Sequence, residues 1–128
     1  MFKFLTTLLA FLIAIGTMAN ANEEFFSENF HTDRVLEGFK APDTDIAILY
    51  SIYVLGINQS LSVANEFSGV KRAALYCAPS NRPMTAEVLH EYVTVEMINA
   101  RTRGDYDFWA KQPFPFTALA TLVKFFPC

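Results

Sequence analysis

Cys77 and His90 are the two residues whose types could support nucleophilic catalysis, a thiolate activated by an imidazole base. No third residue at a readable spacing would orient that histidine. The chain's other cysteine, Cys128, is its last residue. Two cysteines and no further thiols read as one disulfide when the compartment is oxidising. The bridge would close a loop of about 50 residues, worth on the order of 4 kcal/mol by the chain-entropy estimate, so its role is structural. His31 and His90 are isolated, with no second ligand at metal spacing, and each reads as a surface or helix-face histidine. No metal and no cofactor is expected. Glu87, Glu91 and Glu96 read as a solvated helical face rather than an acid/base pair. Asn58-Gln59-Ser60 matches a glycosylation acceptor, but inside a helix it is a chance match.

One stretch has the composition of a binding surface. Arg101 to Gln112 (RTRGDYDFWAKQ) loses helical periodicity and carries the chain's only tryptophan, Trp109, beside Tyr106 and Phe108, with Asp105 and Asp107 among them. Aromatic residues and arginine dominate interface hot spots because they bury large areas at modest entropic cost. Asp105, Tyr106, Asp107, Phe108 and Trp109 are therefore the candidate partner-binding residues, an acidic aromatic loop able to plug a groove in a basic enzyme. The competing expectation is that Phe108 and Trp109 fold back over the end of the helical body.

The N-terminus points to export. Lys3 precedes an uncharged apolar run, Phe4 to Gly16, and Ala19-Asn20-Ala21 supplies the small-x-small pattern of a signal-peptidase site. A run of about 13 residues is short of the roughly 20 that span a bilayer, so a retained anchor is the weaker reading. Cleavage after residue 21 leaves a mature domain, residues 22–128, beginning at Asn22. Ten of the thirteen phenylalanines lie in it, the composition of a packed core rather than a disordered chain. The full chain has 10 basic and 13 acidic residues, a net charge of −3, with no basic cluster. That balance argues against nucleic acid and against anionic membranes. The expected location is the periplasm, with no membrane contact after cleavage.

The periodicity predicts an all-α fold, a small four-helix bundle closed by one disulfide. A short first helix lies within Glu23 to Lys40, its better-formed part capped by Thr32 or Asp33, with Val35, Leu36 and Phe39 on one face. The second, Asp45 to Ala64 after an Asp43 or Thr44 cap, has Ile46, Leu49, Tyr53, Ile57, Leu61 and Ala64 at steps of three and four. Ile48, Ile52 and Leu55 extend its apolar surface nearly all round, so this helix is expected in the middle of the bundle. Gly56 within it implies close approach of a neighbouring helix. Asn65 to Gly69 reads as its stop, and Pro79 to Pro83 as a turn. Thr85 caps a third helix carrying Val88, Leu89, Tyr92, Val93 and Glu96 towards Asn99. Pro113 and Pro115 open a fourth, which buries Phe116, Leu119, Leu122, Val123 and Phe126 and stops at Pro127.

So arranged, the chain resembles the Rap1a/Tai family of type VI secretion immunity proteins. The matching features, in order, are Tyr50-Ser51-Ile52-Tyr53-Val54-Leu55-Gly56-Ile57, Tyr76-Cys77-Ala78-Pro79, the threonine-started helix from Thr85 to Tyr92, and the terminal Phe126-Pro127-Cys128. They span about three quarters of the mature chain. The Cys-x-Pro step paired with a terminal Phe-Pro-Cys is the most specific. Two departures stand out: relatives often have a second cysteine pair near the first two helices, and the segment between helices three and four is longer here. The resemblance implies a periplasmic immunity protein, not an enzyme, that neutralises a secreted cell-wall amidase effector, a peptidoglycan hydrolase delivered by neighbouring cells. It also implies a homodimer. The alternative is a small periplasmic stress chaperone of the one-disulfide helical kind, which the phenylalanine-rich composition also suits.

Overall fold

A computed structural model describes residues 28–70 and 73–128, without the side chain of Val70. The expected signal peptide, residues 1–21, and the start of the mature domain up to residue 27 lie outside the described residues. Five helices occur among them: α1 (Thr32–Phe39), α2 (Thr44–Val70), α3 (Ala86–Arg103), α4 (Tyr106–Ala110) and α5 (Phe114–Phe125). The only extended pairing described is an isolated antiparallel bridge between His31 and Pro113.

α3 is the hub, in contact with α2, α4 and α5. Its sequence explains why. Thr85 caps it as expected, its hydroxyl accepting the Val88 N–H. From there Leu89, Val93, Met97 and Ala100 recur at steps of four and three and are buried. Phe114, Ala118 and Leu122 of α5 complete the centre, with Val35 of α1 and Val54 of α2.

α1 enters differently from expectation. Thr32 is not its cap; His31 precedes the first turn in extended conformation, and no side chain caps it. The Thr32 hydroxyl is instead buried, 2.7 Å from Thr117 Oγ1 and 3.0 Å from the Gln112 carbonyl. With the Thr32 N–H on the Gln112 carbonyl and the Phe114 N–H on the Phe30 carbonyl, this stitches the start of α1 to the start of α5. At the other boundary Asp43, one of the two expected caps, accepts from the Asp45 and Ile46 N–H groups and opens α2.

α2 departs most from the sequence reading. Asn65 to Gly69 does not stop it; the helix runs to Val70. Nor is it central. Tyr50, Tyr53, Val54, Ile57, Asn58 and Leu61 face the body, whereas Ile48, Leu49, Ile52, Leu55 and Val63 are 44–66 % exposed. An all-round apolar helix needs neighbours on all sides, and α1 and α3 cover one side. The expected close approach at Gly56 is absent as well: a side chain built there meets nothing within 4 Å. The close approach is at Gly38 of α1, where an added Cβ would overlap the Tyr50 ring, whose hydroxyl donates to the Asn29 carbonyl at 3.0 Å. By length and composition Thr44–Gly69 could cross a bilayer. Its inner side is tied to the body through polar groups: Asn58 Nδ2 donates to the Met84 carbonyl at 2.8 Å. Asn65 takes the Leu75 and Tyr76 N–H groups and donates to the Tyr76 carbonyl.

Those Asn65 bonds position the disulfide. Tyr76 is buried, Cys77 follows, and the Cys77 N–H donates to the Phe126 carbonyl at 2.8 Å. Cys77 and Cys128 are joined, 51 residues apart in sequence, with Cα atoms 5.1 Å apart. The all-α class and the disulfide are as the sequence predicts.

Candidate functional site

The segment expected as a loop is built from the end of α3 outward. α3 runs past Asn99 to Arg103 and ends at Gly104, whose φ of 86° lies in the left-handed region that a residue without Cβ tolerates best. The Gly104 and Asp105 N–H groups both return to the Ala100 carbonyl, at 2.9 and 3.0 Å. The chain reverses and forms the single turn α4. Arg101 and Arg103 in the last turn followed by Gly104 are a helix-stop signal carried by the sequence itself.

All five expected site residues fall on this projection, and their environments differ. Trp109 Nε1 donates to Asp105 Oδ2 at 3.1 Å. The indole stacks on Phe116, centroids 5.9 Å apart, and meets the edge of Phe108 at 5.3 Å. Arg101 lies over the Tyr106 ring, 4.4 Å from its centroid. Asp105, Tyr106 and Trp109 are therefore half-buried, while Asp107 and Phe108 are exposed. The expectation that both rings fold back holds for Trp109 alone. Phe108, at 57 % exposed, and Phe116, at 52 %, remain open on either side of it.

Buried charge supports the projection from below. Glu96 is not on a solvated face: it is 6 % exposed. Its carboxylate accepts from Lys124 Nζ at 2.7 and 2.9 Å and from Arg103 Nη2 at 2.8 Å. Arg103 also reaches Asp105, with Nε 3.3 Å from Oδ1. Lys124, Glu96, Arg103, Asp105 and Trp109 thus form one chain of contacts from α5 across the end of α3 into α4. Burial pushes the Glu96 carboxyl up, but the Lys124 and Arg103 hydrogen bonds outweigh it and hold it below its ordinary range. Asp105 behaves likewise: desolvation raises it, and the Trp109 and Arg103 hydrogen bonds bring it lower. Both are ionised at neutral pH. The spacing of Glu96, Arg103 and Asp105 could not reveal this, because Lys124 comes from another helix.

The two histidines separate. His31 is half-buried at the entry to α1. His90 is buried, not on an open helix face: its ring stacks on Phe39 at 4.3 Å, and Nε2 lies 3.3 Å from the Leu36 carbonyl. Burial lowers its pKa, the Leu36 carbonyl partly opposes this, and Lys40 adds repulsion. The Cys77–His90 pairing has no chemistry, since Cys77 is bonded to Cys128. Among the described residues no cluster of His, Cys, Asp and Glu could hold a metal ion.

No family model, curated protein or solved structure matches the chain.

Proposed function

We propose that this chain is a periplasmic immunity protein of the Rap1a/Tai kind, exported through residues 1–21, which binds and neutralises a type VI secretion peptidoglycan amidase. On this reading the four longer helices are the small bundle the resemblance implies, and α4 is an added turn in the connection that varies with the partner. The single observation that carries it is the α4 projection. An acidic, aromatic turn presents Asp107 and Phe108 to solvent on a base held by the Trp109–Asp105 bond and the Trp109–Phe116 stack. A surface held before binding loses little conformational entropy when it docks, the requirement for tight inhibition by a small protein.

The test is a titration of the exported chain against a secreted amidase encoded beside it, with peptidoglycan hydrolysis as the readout. Stoichiometric loss of hydrolysis is expected, and Asp107→Arg with Phe108→Ala should weaken it by at least tenfold, as hot-spot residues do. Both positions are exposed, so the variant keeps its fold. Full inhibition by the variant would remove the projection from the binding surface. No complex with any amidase would end the reading. The exposed apolar side of α2 favours a second reading, the small periplasmic chaperone; suppression of client aggregation that increases as the pH is lowered would mark it.

A further inference from the structure

Between the middle of α2 and the start of α3 lies a cleft of about 480 Å³. Small-molecule sites commonly have volumes of roughly 300–1,000 Å³. α3 is 18 residues long, so about 27 Å of helix separates this cleft from the α4 projection. Part of the lining is aliphatic: Ile52 and Leu55 of α2, 63 % and 44 % exposed, with Met84 from the segment before α3. The rest is polar and includes Asn58 of α2, and Thr85 and Glu87 at the start of α3. Asn58 is the informative residue. It is 7 % exposed, and its Nδ2 donates to the Met84 carbonyl at 2.8 Å. A carbonyl only accepts, so the amide nitrogen must face it and the amide oxygen is left over. That oxygen has no hydrogen-bond partner among the described residues, although Asn58 lines the cleft. A buried acceptor without a donor is costly, so a ligand that brings a donor is favoured.

We infer that this cleft binds a small aliphatic primary ammonium ion, its methylene chain against Ile52, Leu55 and Met84 and its head on the Asn58 amide oxygen and the Glu87 carboxylate. The charge of the lining selects the sign. Among the described residues that line the cleft, Glu87 alone is charged. The start of α3 would otherwise attract an anion, but its donors are already taken. The Glu87 carboxylate accepts its own backbone N–H and the Thr85 hydroxyl, and the Thr85 oxygen accepts the Val88 N–H. Those first two bonds hold the Glu87 carboxyl below its ordinary range, so it is ionised at neutral pH. An ammonium head carries three donors and no acceptor, the complement of an amide oxygen and a carboxylate. The aliphatic part of the lining selects an organic ion over a bare inorganic one. Size selects a free ion, because a cleft of this volume holds chain and head together. The inference uses none of the α4 residues and does not depend on the proposed immunity function.

The test is a titration of n-hexylammonium into the nitrogen-15-labelled chain, followed by backbone and side-chain amide resonances, with 1-hexanol and hexanoate as comparison probes. A ligand of about seven heavy atoms is expected to bind in the millimolar range. Saturable shifts should appear at Ile52, Leu55, Asn58 and Glu87, with hexanoate inert and hexanol at least tenfold weaker, since a charge-assisted bond is lost. Butylammonium should bind about tenfold more weakly than hexylammonium, at about three- to fourfold per buried methylene. Glu87→Gln should weaken hexylammonium at least tenfold and leave hexanol unchanged, whereas Ile52→Ser should weaken both. Both side chains are exposed, and circular dichroism with an unfolding midpoint checks that each variant keeps its fold. No saturable shift below about 100 mM would overturn the inference. So would hexanoate or hexanol binding as tightly as the ammonium, or a Glu87→Gln chain that binds it unchanged. Tighter binding of Nα-acetyl-lysine methylamide than of hexylammonium would overturn it in favour of a lysine on a protein partner.

Discussion

Removing the disulfide by Cys77→Ser with Cys128→Ser tests what holds the two ends of the domain together. The cysteines are 51 residues apart, and closing a loop of that size removes about 14 cal/mol/K from the unfolded chain, or about 4 kcal/mol at 25 °C. That is nearly three decades in the folding equilibrium, at about 1.4 kcal/mol per decade. In a domain of this size it lowers the melting temperature by roughly 15–30 °C. The native geometry should survive, because the Cys77 N–H bond to the Phe126 carbonyl and the Asn65 bonds to residues 75–76 do not involve sulfur. The assay is guanidinium unfolding of the oxidised chain, the reduced chain and the double variant. The last two should share a midpoint well below the first, with a larger denaturant slope as the unfolded state expands. A loss under about 1 kcal/mol would show that the C-terminal end is held by packing alone and would refute the loop-entropy reasoning.

Gly38→Ala drives a methyl group into the Tyr50 ring and should cost about 1–3 kcal/mol, the usual range for overpacking; Gly38→Ala with Tyr50→Leu should recover most of the lost midpoint. Asn65→Ala removes the amide oxygen that accepts from the Leu75 and Tyr76 N–H groups and the amide nitrogen that donates to the Tyr76 carbonyl, and should cost about 1–3 kcal/mol in the same assay. Acid should destabilise the fold in two stages. His90 has a folded pKa below its ordinary 6.5, so the unfolded chain takes the proton first. Its contribution is complete above pH 6.5 and is lost as pH falls through the lower folded value. His90→Phe should flatten that limb of a midpoint-against-pH curve, and an unchanged curve would refute the assignment. Glu96, also lowered, acts further into acid, its contribution complete above its ordinary 4.5 and lost below; Glu96→Gln should remove that second limb.

Much of the architecture is local and therefore legible in sequence. Thr85 caps α3 and Asp43 caps α2 because a short oxygen-bearing side chain can reach only the N–H groups one turn ahead. The period of Leu89, Val93 and Met97 fixes which side of α3 turns inward, and two cysteines without competitors allow one bridge. The candidate binding residues were legible only as a composition. That Trp109 turns in while Phe108 turns out depends on Phe116, and on Asp105 being held by Arg103 and Glu96.

By its own sequence, then, this protein determines that it is helical, where α2 and α3 begin, and that Cys128 is tied to Cys77. Only tertiary structure decided which apolar side is covered and which polar groups are buried. α2 reads as a core helix because hydrophobicity belongs to a residue, whereas burial belongs to a pair of surfaces, and α1 and α3 meet one side of it. Glu96 and His90 read as surface groups for the same reason: their partners, Lys124 on α5 and Phe39 with Leu36 on α1, are 28 to 54 residues away. No periodicity along one helix records what another helix brings to it.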